Sequence, residues 1–338
     1  MRYNPALDGV RAVAILAVVL FHCQFPWAVG GALGVDLFFV LSGYLITTLL
    51  MQEHRQGGIR VGAFYARRAL RLYPTLLLLI VAYLFAAPVL WPDDEKWLVS
   101  GVVASYLMDY ALAFTHLDWT IGHTWSLGVE EKFYLLWPLL LPVVLAARKP
   151  LAWLLGLYLL ITAWRYAVTW EWGWKQAYFA FDTRCSGIVL GAVAAVARPR
   201  ISAAVATFAL AALAFCMTAP FMPALPGWMQ TQAVTLEISV AELASFALIC
   251  HLAVTPWQRF FAWAPLVHIG RLSYGIYVWH FPVVLLVRDV HGQPWWINLL
   301  VVVPFSFAMA ALCLYLVDLP IKRWRQRLHA RPGDVATC

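Results

Sequence analysis

The stretch LDGVRAVAILAVVLFHCQF, residues 7–25, opens with an arginine and carries a histidine deep inside an otherwise apolar run. Arg11 and His22 are eleven residues apart. At about 1.5 Å and 100° per residue they share nearly one helix face, about 16 Å apart along it. A charge or an imidazole in a spanning helix is costly, and it ordinarily faces the bundle interior at a pathway or a site. Arg11 alone also fits a side chain that snorkels to the membrane surface, and His22 a plain hydrogen bond to a neighbouring helix.

The rest of the chain agrees that the solvent is lipid. Of 338 residues, 63% are hydrophobic and 12% charged, against about a quarter charged in an ordinary soluble domain. The net charge of +7 falls in short clusters between apolar runs, as in cytoplasmic loops of membrane proteins, so it reads as topology and not as a nucleic-acid surface. The six cysteines are scattered with no metal spacing and fit small buried hydrophobes. No metal is expected. The first apolar run lacks the small-residue cleavage site of a signal peptide, since Gln24-Phe25-Pro26-Trp27 follows it.

Eleven apolar segments can be drawn, at about 10–25, 34–51, 73–91, 97–114, 126–146, 151–169, 184–197, 201–219, 232–254, 272–288 and 295–318. Most approach the roughly 20 residues that a spanning helix needs. Basic clusters lie at Arg55 to Arg71, Arg148-Lys149, Arg198 with Arg200, Arg259 with Arg271, and Lys322 to Arg331. If all are cytoplasmic, an even number of spans separates each pair, yet three segments lie between Arg71 and Arg148. One must fail to cross. The polar stretch between about 97 and 124 is the candidate, because backbone at membrane depth is tolerated only inside protein or against a cavity. The expected fold is therefore an all-α transmembrane bundle of ten spanning helices with one re-entrant or interfacial piece. Both termini would be cytoplasmic, with a transmembrane domain over 1–320 and a short basic tail over 321–338.

Several polar groups stand out against this background. Arg67 and Arg71, and Arg68 and Arg71, fall on one helical face, fit either to grip lipid headgroups or to clamp a phosphate with guanidinium forks. Segment 34–51 carries Asp36 near its start and Ser42-Gly43-Tyr44 inside, where the glycine predicts a close approach by another helix or a ligand. Glu130 and Glu131 follow Trp125-Ser126 at the head of an apolar helix, where they either complement the helix dipole or serve a site. Asp182 and Arg184 look like an orienting ion pair, ahead of the small-residue packing face Gly187 and Gly191. Ser273, Tyr277 and His280 make one polar stripe at helical spacing.

No nucleotide-binding loop, dinucleotide fingerprint, zinc-protease motif or hydrolase elbow is present. What remains is a buried histidine, an arginine on the same face, a basic cluster and acidic helix ends. This spacing suits a long ligand whose phosphorylated head rests on the arginines while a thin arm carries its reactive end to His22. Imidazole is the commonest general base.

The segments LDGVRAVAILAVVLFH, GGALGVDLFFVLSGYLITTLL, FYARRALRLYP, HTWSLGVEEKFYLLWP, FDTRCSGIVLGA and RLSYGIYVWHFPV resemble, in order, the acyltransferase family 3 proteins, integral-membrane O-acyltransferases. The family's arginine–histidine motif matches Arg11 and His22, its Arg-x-x-Arg motif Arg68 and Arg71, and its Ser-Gly-aromatic motif Ser42, Gly43 and Tyr44. The resemblance implies transfer of an acyl group, often acetyl, from cytoplasmic acyl-CoA to a carbohydrate or glycolipid hydroxyl at the bacterial inner membrane. His22 would be catalytic, with Arg11, Arg68 and Arg71 on the donor. On physical grounds Glu130, Asp36 and His280 are added as groups that would orient or charge-balance His22. Many family members carry a further SGNH hydrolase-like domain, so either direct modification of the acceptor or handover to a separate extracytoplasmic transferase is expected. A transporter or flippase with a His/Arg pathway is the alternative, although such proteins commonly show internal repeats and none is visible here. A passive scaffold would leave Arg11 and His22 without a purpose.

Overall fold

The computed structural model describes residues 3–219, 227–253 and 258–321, and the basic tail expected over 321–338 lies outside them but for Ile321. Every described element is helical: α1 (Pro5–His22), α2 (Gly34–Arg55), α3 (Val61–Leu90), α4 (Lys96–Ala104), α5 (Met108–Phe114), α6 (Trp125–Ala146), α7 (Pro150–Glu171), α8 (Trp174–Phe179), α9 (Phe181–Arg184), α10 (Ser186–Ala197), α11 (Ala203–Thr218), α12 (Gly227–Gln232), α13 (Ile238–Leu252), α14 (Gln258–Phe261), α15 (Ala264–Leu285) and α16 (Trp295–Cys313). The all-α membrane bundle expected from the apolar periodicity is what forms. Six described helices, with their continuations, are long and apolar enough to cross a membrane. The expected ten is thus only partly met by length and composition. The helices α6, α10, α11 and α15 coincide with expected spans but are shorter, more charged or less apolar.

The segment expected not to cross is broken. Neither α4, with nine residues, nor α5, with seven, reaches the roughly 30 Å hydrocarbon thickness at 1.5 Å per residue. The two ends of this excursion meet, since Glu95 N donates to Asp118 Oδ2 at 2.9 Å and Thr120 donates to Asp94 at 2.5 Å. Its tip is held inside the bundle: Tyr73 Oη donates to Ala104 O at 2.6 Å, and Lys132 Nζ donates to Tyr106 O at 2.5 Å and to Asp109 Oδ1 at 2.7 Å. The two ends of the piece therefore lie together, and side chains of α3 and α6 bond backbone oxygens at its turn.

Small residues allow close helix contacts. A Cβ on Gly43 would lie 1.9 Å from Ile188 O, and one on Gly191 would lie 2.0 Å from Val40 O, so α2 and α10 press backbone on backbone. This is the close helix approach that Gly43 predicted. Two buried ion pairs lock the same region: Asp36 with Arg184 at 2.9 Å and Arg165 with Glu242 at 3.0 Å, every side chain at most 1% exposed. Ser186 joins the second pair, 2.7 Å from Arg165 and 2.6 Å from Glu242. Opposite charges in such a core are tolerated when paired and hydrogen-bonded; Arg165 and Glu242 meet both conditions, while Asp36 and Arg184 are paired but have no hydrogen-bond partner among the described residues. The five described cysteines are free and buried, as expected of small apolar fillers.

Candidate active site

A cavity of about 490 Å³ runs between α1, α2, α3, α6 and α15. Along α2 its wall extends from Val35 to Leu49, about 21 Å of helix rise. Arg11, Arg68, Arg71 and Arg271 line it, against the carboxylates of Asp8 and Glu130, so its lining carries a net positive charge. Arg11 faces Asp8 at 3.0 Å. Arg68 lies 3.4 Å from Glu131 and 3.7 Å over the ring of Tyr134. The side chain of Arg71 has no hydrogen-bond or ionic partner among the described residues, leaving its fork open. Arg67, by contrast, turns aside to Glu53, which corrects the expectation that it shares the working face with Arg71.

Three residues close the far end of this cavity. Ser126 and Tyr277 line it, 2.7 Å apart between hydroxyl oxygens, and the Tyr277 hydroxyl donates to the backbone oxygen of His123. One helical turn beyond Tyr277 on α15 stands His280. Its Nδ1 lies 2.6 Å from Tyr277 O and its Nε2 lies 2.9 Å from His22 Nδ1. A carbonyl oxygen only accepts, so Nδ1 of His280 carries a proton and the neutral ring presents an Nε2 lone pair. His22 Nδ1 must then donate to it. The remaining nitrogen of His22, Nε2, is thereby left with its lone pair and a fixed direction. Arg288, on a π-helical turn that follows α15, donates to His22 O at 3.3 Å.

His123 completes a cluster of rings, 5.4 Å from His280 and 5.1 Å from Phe281, which is itself 4.8 Å from His22. Its Nε2 lies 3.1 Å from Val278 O, while its buried Nδ1 has no hydrogen-bond partner. The sequence offered His123 only as one polar group of the 97–124 stretch and the first residue of HTWSLGVEEKFYLLWP, with no role assigned to it. Tyr277 was weighed only as part of a polar stripe, and its role as the end wall depends on packing.

Other expected partners of His22 are elsewhere. Asp36 pairs with Arg184, whose guanidinium carbon lies 5.0 Å from the Tyr178 ring centre and 5.7 Å from those of Phe39 and Trp125. The expected Asp182–Arg184 pair does not form, because Asp182 instead accepts from Trp164 at 2.6 Å and from Tyr110 at 3.3 Å. Glu130 accepts from Ser42 at 2.6 Å inside the arginine cavity, on the near side of Tyr277 from His22. The three residues of the Ser-Gly-aromatic motif diverge: Ser42 faces this cavity, Gly43 packs on α10, and Tyr44 faces a different cavity.

The fold and site together define an all-α membrane bundle with a cationic cavity and an imidazole pair past its end. The chain belongs to the acyltransferase domain family Acyl_transf_3, whose profile matches residues 4–318. It is 31% identical over 352 residues to the peptidoglycan O-acetyltransferase OatA of Listeria monocytogenes, covering 95% of this chain and 56% of that protein. It is 30% identical over 354 residues to the O-acetyltransferase OatA of Staphylococcus aureus, covering 95% of this chain and 58% of that protein. YrhL of Bacillus subtilis is 32% identical over 366 residues, 98% of this chain and 56% of that protein. The chain therefore spans little more than half the length of these curated relatives. No solved structure matched it.

Proposed function

We propose that this chain is a membrane O-acetyltransferase module that takes an acetyl group from cytoplasmic acyl-CoA and delivers it toward a hydroxyl of a cell-envelope glycan, with peptidoglycan the first candidate. The observation that carries the reading is the alignment of an open-forked arginine cavity with an oriented imidazole one helical turn past its closed end. The phosphates of the donor would rest on Arg71, Arg68 and Arg11, since guanidinium forks match phosphate oxygens. The pantetheine arm would follow α2 inward and reach His22 when the Tyr277–Ser126 contact opens. In this arrangement both termini and the basic clusters face the cytoplasm of a bacterial inner membrane, with residues 1–320 acting as one transmembrane unit.

The chemistry needs one proton moved twice. An acceptor hydroxyl attacks the thioester carbonyl as His22 Nε2 takes its proton, the C–S bond breaks, and the departing thiolate of CoA receives a proton from the imidazolium. His280 is the positioning residue: it holds His22 Nδ1–H and supports the transient positive charge through its own bond to Tyr277 O. Asp36 and Glu130 take no part in this proton path.

The test uses purified protein in detergent with radiolabelled acetyl-CoA, reading donor binding and slow thioester hydrolysis without acceptor. His22→Ala should keep binding and lose hydrolysis, whereas Arg71→Gln should weaken binding. Wild-type hydrolysis in folded His22→Ala, or no donor binding by folded wild type, would overturn the proposal.

A further inference from the structure

A second cavity of about 530 Å³ lies where the C-terminal ends of α2, α10 and α13 meet the start of α1. It is lined by Tyr44, Thr48, Arg55, Gln56 and Arg198, among others, and none of its described lining residues is acidic. Of its lining, only Asn4 also borders the central cavity. The Arg55 side chain makes no hydrogen bond or ion pair among the described residues. Arg198 uses only Nε, toward Ala195 O at 3.3 Å, so both of its terminal nitrogens are uncommitted. It sits at the end of α10 with φ +47°, a left-handed conformation that few non-glycine residues adopt. Two exposed guanidinium forks share one recess with no acidic side chain among its described lining residues, a donor set suited to an anion.

We propose that this cavity is a binding site for a phosphate ester, held by Arg55 and Arg198. Arginine pairs suit this ligand because each presents parallel N–H donors to two oxygens. The phosphate has two chemical sources: the headgroup of an anionic lipid, or the nucleotide end of a coenzyme A thioester whose arm continues past Asn4 into the central cavity. The lipid source is independent of the donor reading above, and the nucleotide source rests on it.

The experiment places wild type, Arg55→Gln/Arg198→Gln and Arg71→Gln in nanodiscs of phosphatidylcholine and titrates adenosine 3′,5′-bisphosphate by calorimetry. A second arm measures phosphatidylglycerol retained by each protein in native mass spectrometry. Both replaced arginines are exposed, so the double variant should elute from size exclusion like wild type. Wild type should bind at least one probe, and the double variant should lose about tenfold or more of that affinity, the scale of a charged hydrogen bond. An Arg55→Lys/Arg198→Lys variant, which keeps charge and removes the forks, should fall between. Equal binding of both probes by wild type and the double variant, or binding of neither by folded wild type, would overturn the site. So would nucleotide binding lost only in Arg71→Gln together with unchanged lipid retention. Acetyl-CoA hydrolysis dependent on His22 would persist through any of those results, which separates failure of this site from failure of the transferase reading.

Discussion

Removing the carboxylate of Asp36 separates a structural from a catalytic account of that residue. Arg184 is 0% exposed and Asp36 1% exposed, 2.9 Å apart, so Asp36→Ala strands a buried guanidinium. Breaking a buried pair costs about 3–5 kcal/mol, or about two to three and a half powers of ten in the folded-to-unfolded ratio. The rings of Tyr178, Phe39 and Trp125 around Arg184 retain some cation–π stabilisation, which places the expected loss toward 3 kcal/mol. Replacing both partners, as Asp36→Ala/Arg184→Met, removes the uncompensated charge and fills its space with apolar atoms. That double variant should recover most of the loss, because an apolar replacement of a buried pair is often neutral. The assay is reversible unfolding of the four members of the cycle in mixed micelles, beside acetyl-CoA hydrolysis at saturating donor. A coupling energy near 2–3 kcal/mol with hydrolysis near wild type in the double variant is the expected result. A stable double variant without hydrolysis would refute the reasoning and return Asp36 to the proton path.

His280→Ala removes the acceptor that fixes His22 Nδ1, so kcat should fall by about 10²-fold or more, within the range of general-base effects, while donor KM stays constant in the same kinetic runs. Arg71→Lys keeps the charge and loses the fork, so donor Kd measured by calorimetry should rise by about tenfold; a silent change would mean that this side chain only grips lipid. Gly43→Ala drives a methyl group against Ile188 O, 1.9 Å away, and should lower thermal stability by about 1–3 kcal/mol, the range for overpacking, as read from the melting temperature in detergent.

Much of the fold was written in hydropathy. Charge parity pointed to the 97–124 stretch as the piece that would not cross, and the structure breaks it at Ser105–Leu107 into two short helices. Gly43 announced its helix contact because a missing side chain has few other uses inside a helix. The site was legible along single helices, where 3.6-residue spacing links Arg68 with Arg71 and Tyr277 with His280. Across helices it was legible only in part. His280 was expected beside His22 although the two stand 258 apart in sequence, whereas the pairing of Asp36 with Arg184 across two helices was not expected. For Asp36, its charge suggested a partner for His22, while packing set it against the buried Arg184. Tyr44 follows Ser42 by two residues, a 200° turn on a helix, so the two side chains had to face different cavities.

The central claim is that donor enters at the basic end while His22 completes transfer beyond Tyr277. The most direct measurement uses sealed proteoliposomes of known protein orientation, with radiolabelled acetyl-CoA on one side and peptidoglycan fragments on the other. The account predicts acetylated fragments only when acetyl-CoA faces the basic end, and none with His22→Ala. Equal labelling from either side, or undiminished labelling in the His22→Ala protein, would contradict it.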